Sequence, residues 1–249
     1  MSLLRTIRDF LSRLFCKRKG DDYELVWEDS GSLSDERWNV CLKGPSSWNR
    51  QAGLQPKKMI VGRQPIVRLE CVKADNEDGW QTAAVITKEA YPDGKLECVA
   101  KFNSGKSTWP AIWMSHPNGA KNNYETYFEI DLSEYYEKRD VTESTYHYPQ
   151  SMRGEAKSKN VRTKIKKDEW NKFTCIWNDE SIKVLINDVL AFELKNNGDP
   201  TYYPVDENLR TFNIILSMQY ANRWLSEPDL SELPLWMDIK SIKYWRKAK

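Results

Sequence analysis

The chain has 249 residues, 40% of them hydrophobic, which is enough to bury a sizeable core, and it contains no low-complexity tract. The formal charge of +2 is uneven: six Lys/Arg against one Asp put +5 into residues 1–20 and leave −3 for the rest. A body this close to neutral argues against a nucleic-acid-binding domain and for a partner of little charge.

In chain order, residues 2–16 carry an amphipathic helix pattern. Leu3, Leu4, Ile7, Phe10, Leu11, Leu14 and Phe15 share one face, Arg5, Arg8 and Arg13 take the other, and Lys17-Arg18-Lys19 follows. Arg8, Asp9 and Arg13 interrupt any apolar h-region, so the stretch fits a secretory signal poorly, and it is too short and charged to span a bilayer. Three readings are open: a peripheral anchor on an anionic membrane, a dock on a particle or partner, and a helix packed on its own domain. Gly20-Asp21-Asp22 ends the pattern, so residues 1–20 are expected to be an extension and 21–249 one domain.

From Tyr23 the pattern turns to alternation. Strands are expected over 23–27, 38–42, 66–73, 83–87, 95–102, 107–115, 124–136, 144–148, 170–177, 181–186, 190–194, 212–219 and 235–245. Residues 44–47 and 149–160 read as loops, and 75–79 and 187–188 as turns. Short strands at regular spacing, with no helical period after residue 20, predict an all-β antiparallel sandwich or jelly roll.

One of these strands carries unusual chemistry. In Glu129-Ile130-Asp131-Leu132-Ser133-Glu134, alternation puts Glu129 and Asp131 on one face and Phe128, Ile130 and Leu132 on the other. Glu134, five residues from Glu129, has the wrong parity unless a β-bulge near Leu132-Ser133 adds a residue. Three acids in register repel one another, so a purely structural role is unfavourable. Paired carboxyls with diverging pKa values are what glycosidic hydrolysis requires.

Eleven Trp and twelve Tyr exceed what core filling demands, and aromatic platforms suit the faces of sugar rings. The five cysteines, Cys16, Cys41, Cys71, Cys98 and Cys175, show no CxxC or metal spacing, and the last three sit in apolar runs as buried thiols. With only His116 and His147 present, a His-based metal centre is not expected.

The motifs together resemble glycoside hydrolase family 16, the laminarinase, lichenase, agarase and carrageenase group, from about Tyr23 to Trp245. Glu129 to Glu134 resembles the family's E-x-D-x-x-E signature, and Trp109-Pro110-Ala111-Ile112-Trp113-Met114 the aromatic strand before it. Asn187-Asp188-Val189-Leu190 resembles a late hairpin with Asp in place of the usual Gly. Asn222-Arg223-Trp224 falls where a loop Trp borders the cleft, and residues 235–244 resemble the closing strand. The resemblance implies a concanavalin A-like jelly roll with an open sugar-binding cleft. It also implies a retaining endo-β-glycanase that needs no cofactor for its chemistry, a structural calcium being left open.

Carried over, Glu129 is the expected nucleophile, Glu134 the acid/base, and Asp131 the carboxylate that tunes both. Glu134 is expected to rest protonated because Asp131 and Glu129 are anionic neighbours. Trp109 is the first candidate for a stacking platform and Trp224 a second. Cleft and core compete for Trp113. His147 either borders the acid/base or is structural, and Asn49 and Arg50 are placed on a cleft loop. Tyr135 and Tyr136 are expected to pack. The expected substrate is a β-1,3 or mixed-linkage glucan, with an agar-, porphyran- or carrageenan-type galactan as the alternative. For the galactan, Arg153, Lys157 and Lys159 of the basic loop would grip sulfates, or that loop is merely solvated. A lectin-like binding module without catalysis is the rival of a different class. The protein is expected to be a monomer, and the missing signal implies unconventional export or release by lysis.

Overall fold

The computed structural model describes residues 23–44, 49–121, 124–137 and 139–248. The expected N-terminal helix and basic run, part of the 44–47 loop and Cys16 lie outside the described residues. Sixteen strands are described: β1 (Tyr23–Ser30), β2 (Trp38–Val40), β3 (Ala52–Leu54), β4 (Lys57–Val61), β5 (Gln64–Lys73), β6 (Trp80–Thr87), β7 (Gly94–Asn103) and β8 (Thr108–Ser115). The rest are β9 (Glu129–Glu134), β10 (Val141–His147), β11 (Lys159–Lys164), β12 (Asn171–Trp177), β13 (Ser181–Ile186), β14 (Val189–Lys195), β15 (Asn213–Tyr220) and β16 (Leu235–Lys247).

The strands form two sheets joined where β5 pairs with β6. One runs β11-β10-β9-β8-β15-β6 with β2 beside β6, and the other runs β5-β16-β7-β12-β13-β14 with β1 on β16 and β4 on β5. All pairings are antiparallel except a short parallel contact of β3 with β6. This is the expected antiparallel sandwich. Alternation builds its core: Ile112 and Met114 of β8, Phe128 and Ile130, Tyr146 of β10, and Leu216 and Met218 of β15 all point inward. They meet Leu69, Leu96, Cys98, Phe173, Cys175, Met237 and Ile239 of the other sheet. Cys41, Cys71, Cys98 and Cys175 are buried free thiols, and burial raises their pKa values, that of Cys41 to about 12.

Some expected boundaries move. The acidic strand spans only Glu129–Glu134 rather than 124–136. The 149–160 loop opens with a one-turn helix, α1 (Pro149–Met152), because proline at its first turn fixes a helical φ and Ser151 accepts from the Tyr148 N–H. Its last residues enter β11, which the sequence reading missed because a polar, basic edge strand with one apolar residue, Val161, has no apolar alternation.

Opposite the core, the outer face of the first sheet carries its own side chains. Trp109, Ala111 and Trp113 of β8 and Ile215 of β15 form a separate apolar cluster there. Ser217 and Gln219 lie on the same face of β15, and that face is where the acids emerge.

Candidate active site

The bulge sits at Leu132. On the β8 side Trp113 pairs with Asp131 and the next residue back, Ile112, with Ser133, so Leu132 is the extra residue. On the β10 side Thr145 pairs with Asp131 and Glu143 with Glu134, two steps against three. The slip frees backbone groups, and β10 satisfies them with small hydroxyls. Ser144 Oγ donates to the Leu132 carbonyl at 2.8 Å and Thr142 Oγ1 to that of Glu134 at 3.2 Å, while Ser133 Oγ lies 2.7 Å from Thr142 Oγ1. Parity is restored as expected: Leu132 stays in the core, and Glu134 shares the outer face with Asp131 and Glu129.

Each carboxylate has its own partners. Glu129 accepts a very short hydrogen bond from Tyr127 Oη, which itself lies 3.1 Å from Ser115 Oγ. Glu134 accepts from Tyr136 Oη and Thr145 Oγ1, each at 2.7 Å. His147, in register with Glu129, puts Nε2 3.4 Å from Asp131 Oδ2 and 3.7 Å from Glu129 Oε1. Its Nδ1 lies 2.6 Å from Ser158 Oγ, which fixes the ring plane.

The electrostatics follow from burying four ionisable groups together. Burial raises all three carboxyl pKa values, Asp131 most, since Glu134 and Glu129 repel its charge as well. Burial opposes a charged His147 too, but the hydrogen-bonding geometry to Asp131 and the charges of Asp131, Glu129 and Glu134 outweigh it and push its pKa up to about 9. For Glu129 burial is again the largest cause, and the imidazolium charge and the Tyr127 bond offset part of the rise. Burial is also the first cause that raises the Glu134 pKa, with Glu129 a lesser cause and Thr145 and Tyr136 opposing. The sequence reading had the direction right, but it assigned the cause to anionic neighbours before desolvation.

Glu129, Asp131 and His147 bring one ligand atom each within 4.8 Å of one another, a spacing that a cation could occupy. A protonated imidazole has no lone pair for a metal and already supplies the positive charge there. The donor set therefore fits a proton-sharing cluster better than a metal centre.

Aromatic side chains adjoin the acids. Trp113 lies on the acids' face but is buried at 7% exposure in an apolar cluster with Ala111 and Ile215, its Nε1 donating to Ser217 Oγ at 3.2 Å. Trp109 packs against Tyr136 at 5.6 Å and edge-on against Trp224 at 4.8 Å, and Trp224 is 60% exposed. Tyr135 packs in the core on Phe102 and Tyr136 on Trp109 as expected, and Tyr136 also donates to Glu134.

Asn49 and Arg50 are not brought to the acids. They precede β3 beside β6, three strands from β9, with Arg50 3.6 Å from Asp78 and Asn49 folded over Gly44. Two cations of the 149–160 loop are engaged elsewhere. Arg153 is paired with Glu155 and Glu125, and Lys159 donates to the Glu193 carbonyl over the Phe192 ring.

Sequence reasoning missed Tyr127, Thr145 and Ser158. Thr145 had a signal, because a hydroxyl facing outward one strand over from Asp131 is placed to bond an acid.

A family model described as glycosyl hydrolases family 16 matches residues 46–233. The chain belongs to glycosyl hydrolase family 16. Among curated relatives, the keratan-sulfate endo-1,4-beta-galactosidase of Sphingobacterium multivorum is 26% identical over 90% of this chain, which spans 56% of that protein's length. The beta-glucanase of Rhodothermus marinus is 24% identical, covering 92% of this chain and 87% of that one. Of solved structures, the catalytic domain of an endo-1,3-beta-glucanase (laminarinase) from Thermotoga petrophila superposes with a TM-score of 0.77 at 21% identity. It covers 92% of this chain and all of that one, a likeness of fold.

Proposed function

We propose that this family 16 member is an endo-β-glycanase that cleaves internal bonds of a polysaccharide with retention, with β-1,3 or β-1,3-1,4-glucan as the first substrate. The observation that carries the reading is the bulge at Leu132, which turns Glu129 and Glu134 onto one face beside an imidazolium and an aromatic cleft. Two carboxyls on one strand face, with Asp131 between them in sequence, suit the ~5–5.5 Å separation of retaining enzymes.

In the first step Glu134 gives its proton to the glycosidic oxygen as that bond to the anomeric carbon breaks. Glu129 attacks the same carbon and forms a glycosyl ester. In the second, Glu134, now anionic, takes a proton from water; the water oxygen bonds the anomeric carbon, Glu129 leaves, and Glu134 is reprotonated. Tyr127 and His147 aim Glu129 and favour its ionised form against burial, and Asp131 orients the imidazolium. Trp109, Trp113 and Trp224 offer ring faces to the sugars.

A galactan is the second reading, favoured by the 26% identity to the keratan-sulfate relative. Residues 21–249 make up the hydrolase domain in this reading, and the protein acts as a monomer. The basic residues 1–20 attach it to an anionic membrane or particle surface. The test is a panel of laminarin, lichenan, agarose and keratan sulfate, with reducing-end detection and proton NMR of the first products. New reducing ends in the β-configuration on a glucan are expected. Initial α-anomer discards Glu129 as nucleophile, and binding without cleavage of any polymer brings the lectin-like reading forward.

A further inference from the structure

The corner where β8 begins and β9 and β15 end has an unusual backbone. Ser107, Glu137 and Ala221 adopt left-handed φ values of 61°, 58° and 62°. The other non-glycine residues of this kind among those described are Asp168, Asn187 and Asp188, types that tolerate the region. Serine, glutamate and alanine gain no such relief. Backbone of this kind persists only where its surroundings over-determine it, and it gathers at functional sites.

Here the surroundings centre on one carboxylate. Glu137 Oε1 accepts from the Ser226 N–H at 2.9 Å, from the Ser107 N–H at 3.3 Å, and from Ser226 Oγ in a very short bond. Ser226 Oγ in turn accepts from the Ser107 N–H at 3.2 Å, so that N–H is shared. The Ala221 N–H donates to the Ser107 carbonyl and the Glu137 N–H to that of Thr108, each at 2.9 Å. The second oxygen, Oε2, lies 4.0 Å from Arg139 Nη2.

Each segment tied in this way carries one ring of the aromatic cluster beside Glu134. Trp109 follows Ser107 by two residues, Tyr136 directly precedes Glu137, and Trp224 stands between the anchored Ala221 and Ser226. The Leu225 N–H bonds the Asn222 carbonyl at 3.0 Å, closing a turn between those anchors. More than half of the Trp224 surface is in solvent, so the anchors on either side, rather than burial, fix where it stands.

We propose that Glu137 is a positioning residue for the reaction, its carboxylate pinning the Trp224 segment so that Trp224, Trp109 and Tyr136 form a preformed platform for one sugar unit. A carboxylate is the acceptor suited to three converging donors. Ordering the loop before the substrate arrives removes that cost from binding, so the pin acts on KM and leaves proton transfer and attack to other groups. The inference rests on the reading of this protein as a hydrolase with Trp109 and Trp224 as sugar platforms.

The experiment measures kcat and KM of the full chain on whichever polymer of the panel is cut fastest, for Glu137→Gly, Glu137→Gln, Trp224→Ala and the Glu137→Gly/Trp224→Ala double variant. Glycine adopts the left-handed backbone freely, so Glu137→Gly removes the pin without adding strain. It should raise KM about three- to tenfold with kcat within about twofold. Glu137→Gln keeps an oxygen for the same donors and should stay close to wild type. The double variant should match Trp224→Ala, because without the ring the pin has nothing to place. Wild-type KM in Glu137→Gly, a loss in kcat alone, or losses that multiply in the double variant would each overturn the proposal. Should Glu137→Gly not fold, Ser226→Ala repeats the test in the same two backgrounds with the same outcomes deciding. If no polymer is cut, the hydrolase reading fails separately, and affinity electrophoresis in the panel polymers decides the pin. Retardation lost in Glu137→Gly and kept in Glu137→Gln upholds it, and equal migration of all variants overturns it.

Discussion

Thr145 stands across the strand pair from Asp131, yet its hydroxyl serves Glu134 at 2.7 Å. The bulge causes this offset: it swings Glu134 back over the β10 residue that an unbroken ladder would give to Asp131 alone. The hydroxyl bond favours the ionised form and holds the Glu134 pKa below what burial would set. Thr145→Val should therefore raise that pKa. The alkaline limb of kcat/KM should move to higher pH, and an acid-ward move would remove Thr145 from the acid/base's support.

The two glutamates separate by leaving group. Glu134→Ala should lose roughly 10²–10⁴-fold on a natural polysaccharide, whose alkoxide departs poorly without a proton. On an activated aryl β-oligosaccharide its first step should survive and a covalent adduct should build up, visible by intact-protein mass spectrometry. Glu129→Ala should form no adduct on either substrate. The reverse pattern would exchange the two roles.

Tyr127 aims and ionises Glu129 through its hydroxyl, itself braced by Ser115. Tyr127→Phe should lower kcat by about tenfold with KM little changed, because ring packing survives and only the charge-assisted bond is lost. The acid limb should also move to higher pH, since that bond lowers the Glu129 pKa. A fall in thermal stability with an unchanged pH profile would make Tyr127 a packing residue only.

His147→Gln should shift the acid limb further, because it deletes a whole charge 3.7 Å from Glu129, worth about 4 kcal/mol at the effective dielectric of such sites before desolvation is subtracted. The sign for stability is separate. The folded pKa of about 9 lies above the unfolded value of 6.5, so the contribution is fully present below pH 6.5 and is lost as pH rises through 9. The stability gap between wild type and His147→Gln should narrow over that window in urea titrations.

Much of this was legible in the residues. Alternation placed Phe128, Ile130 and Leu132 inward, and the five-residue spacing of Glu129 and Glu134 demanded a bulge where one is found. What was not legible depends on register between distant strands. Nothing in the local text says that Thr145 meets the β9 bulge or that Ser158 braces His147. The register row from Glu134 through Glu143 to Arg162 spans three strands, two of them polar enough to read as loop or edge. The position of Asn49 and Arg50 beside β6, three strands from the acids, was illegible for a related reason, since the parallel contact of β3 with β6 carries no periodic signal.

The core offers a stability check independent of chemistry. Phe173 is fully buried and packs on Phe102 at 5.6 Å between the sheets. Phe173→Ala should cost about 3–5 kcal/mol, lowering Tm by roughly 6–20 °C while leaving the pH profile unchanged at low temperature. A shift in either pH limb would mean that the core and the acids are coupled.

The extra residue at Leu132 is a count, not a distance. No point substitution can slide Glu134 toward or away from Glu129 in small steps, because the only available changes are the insertion or loss of a whole residue. Either event would turn Glu134 into the apolar interior and send a neighbour out in its place. The separation between the two groups is thus inherited as an integer, sheltered from gradual drift, while the side chains around it on β10 and β11 are free to vary and to retune what the cleft accepts.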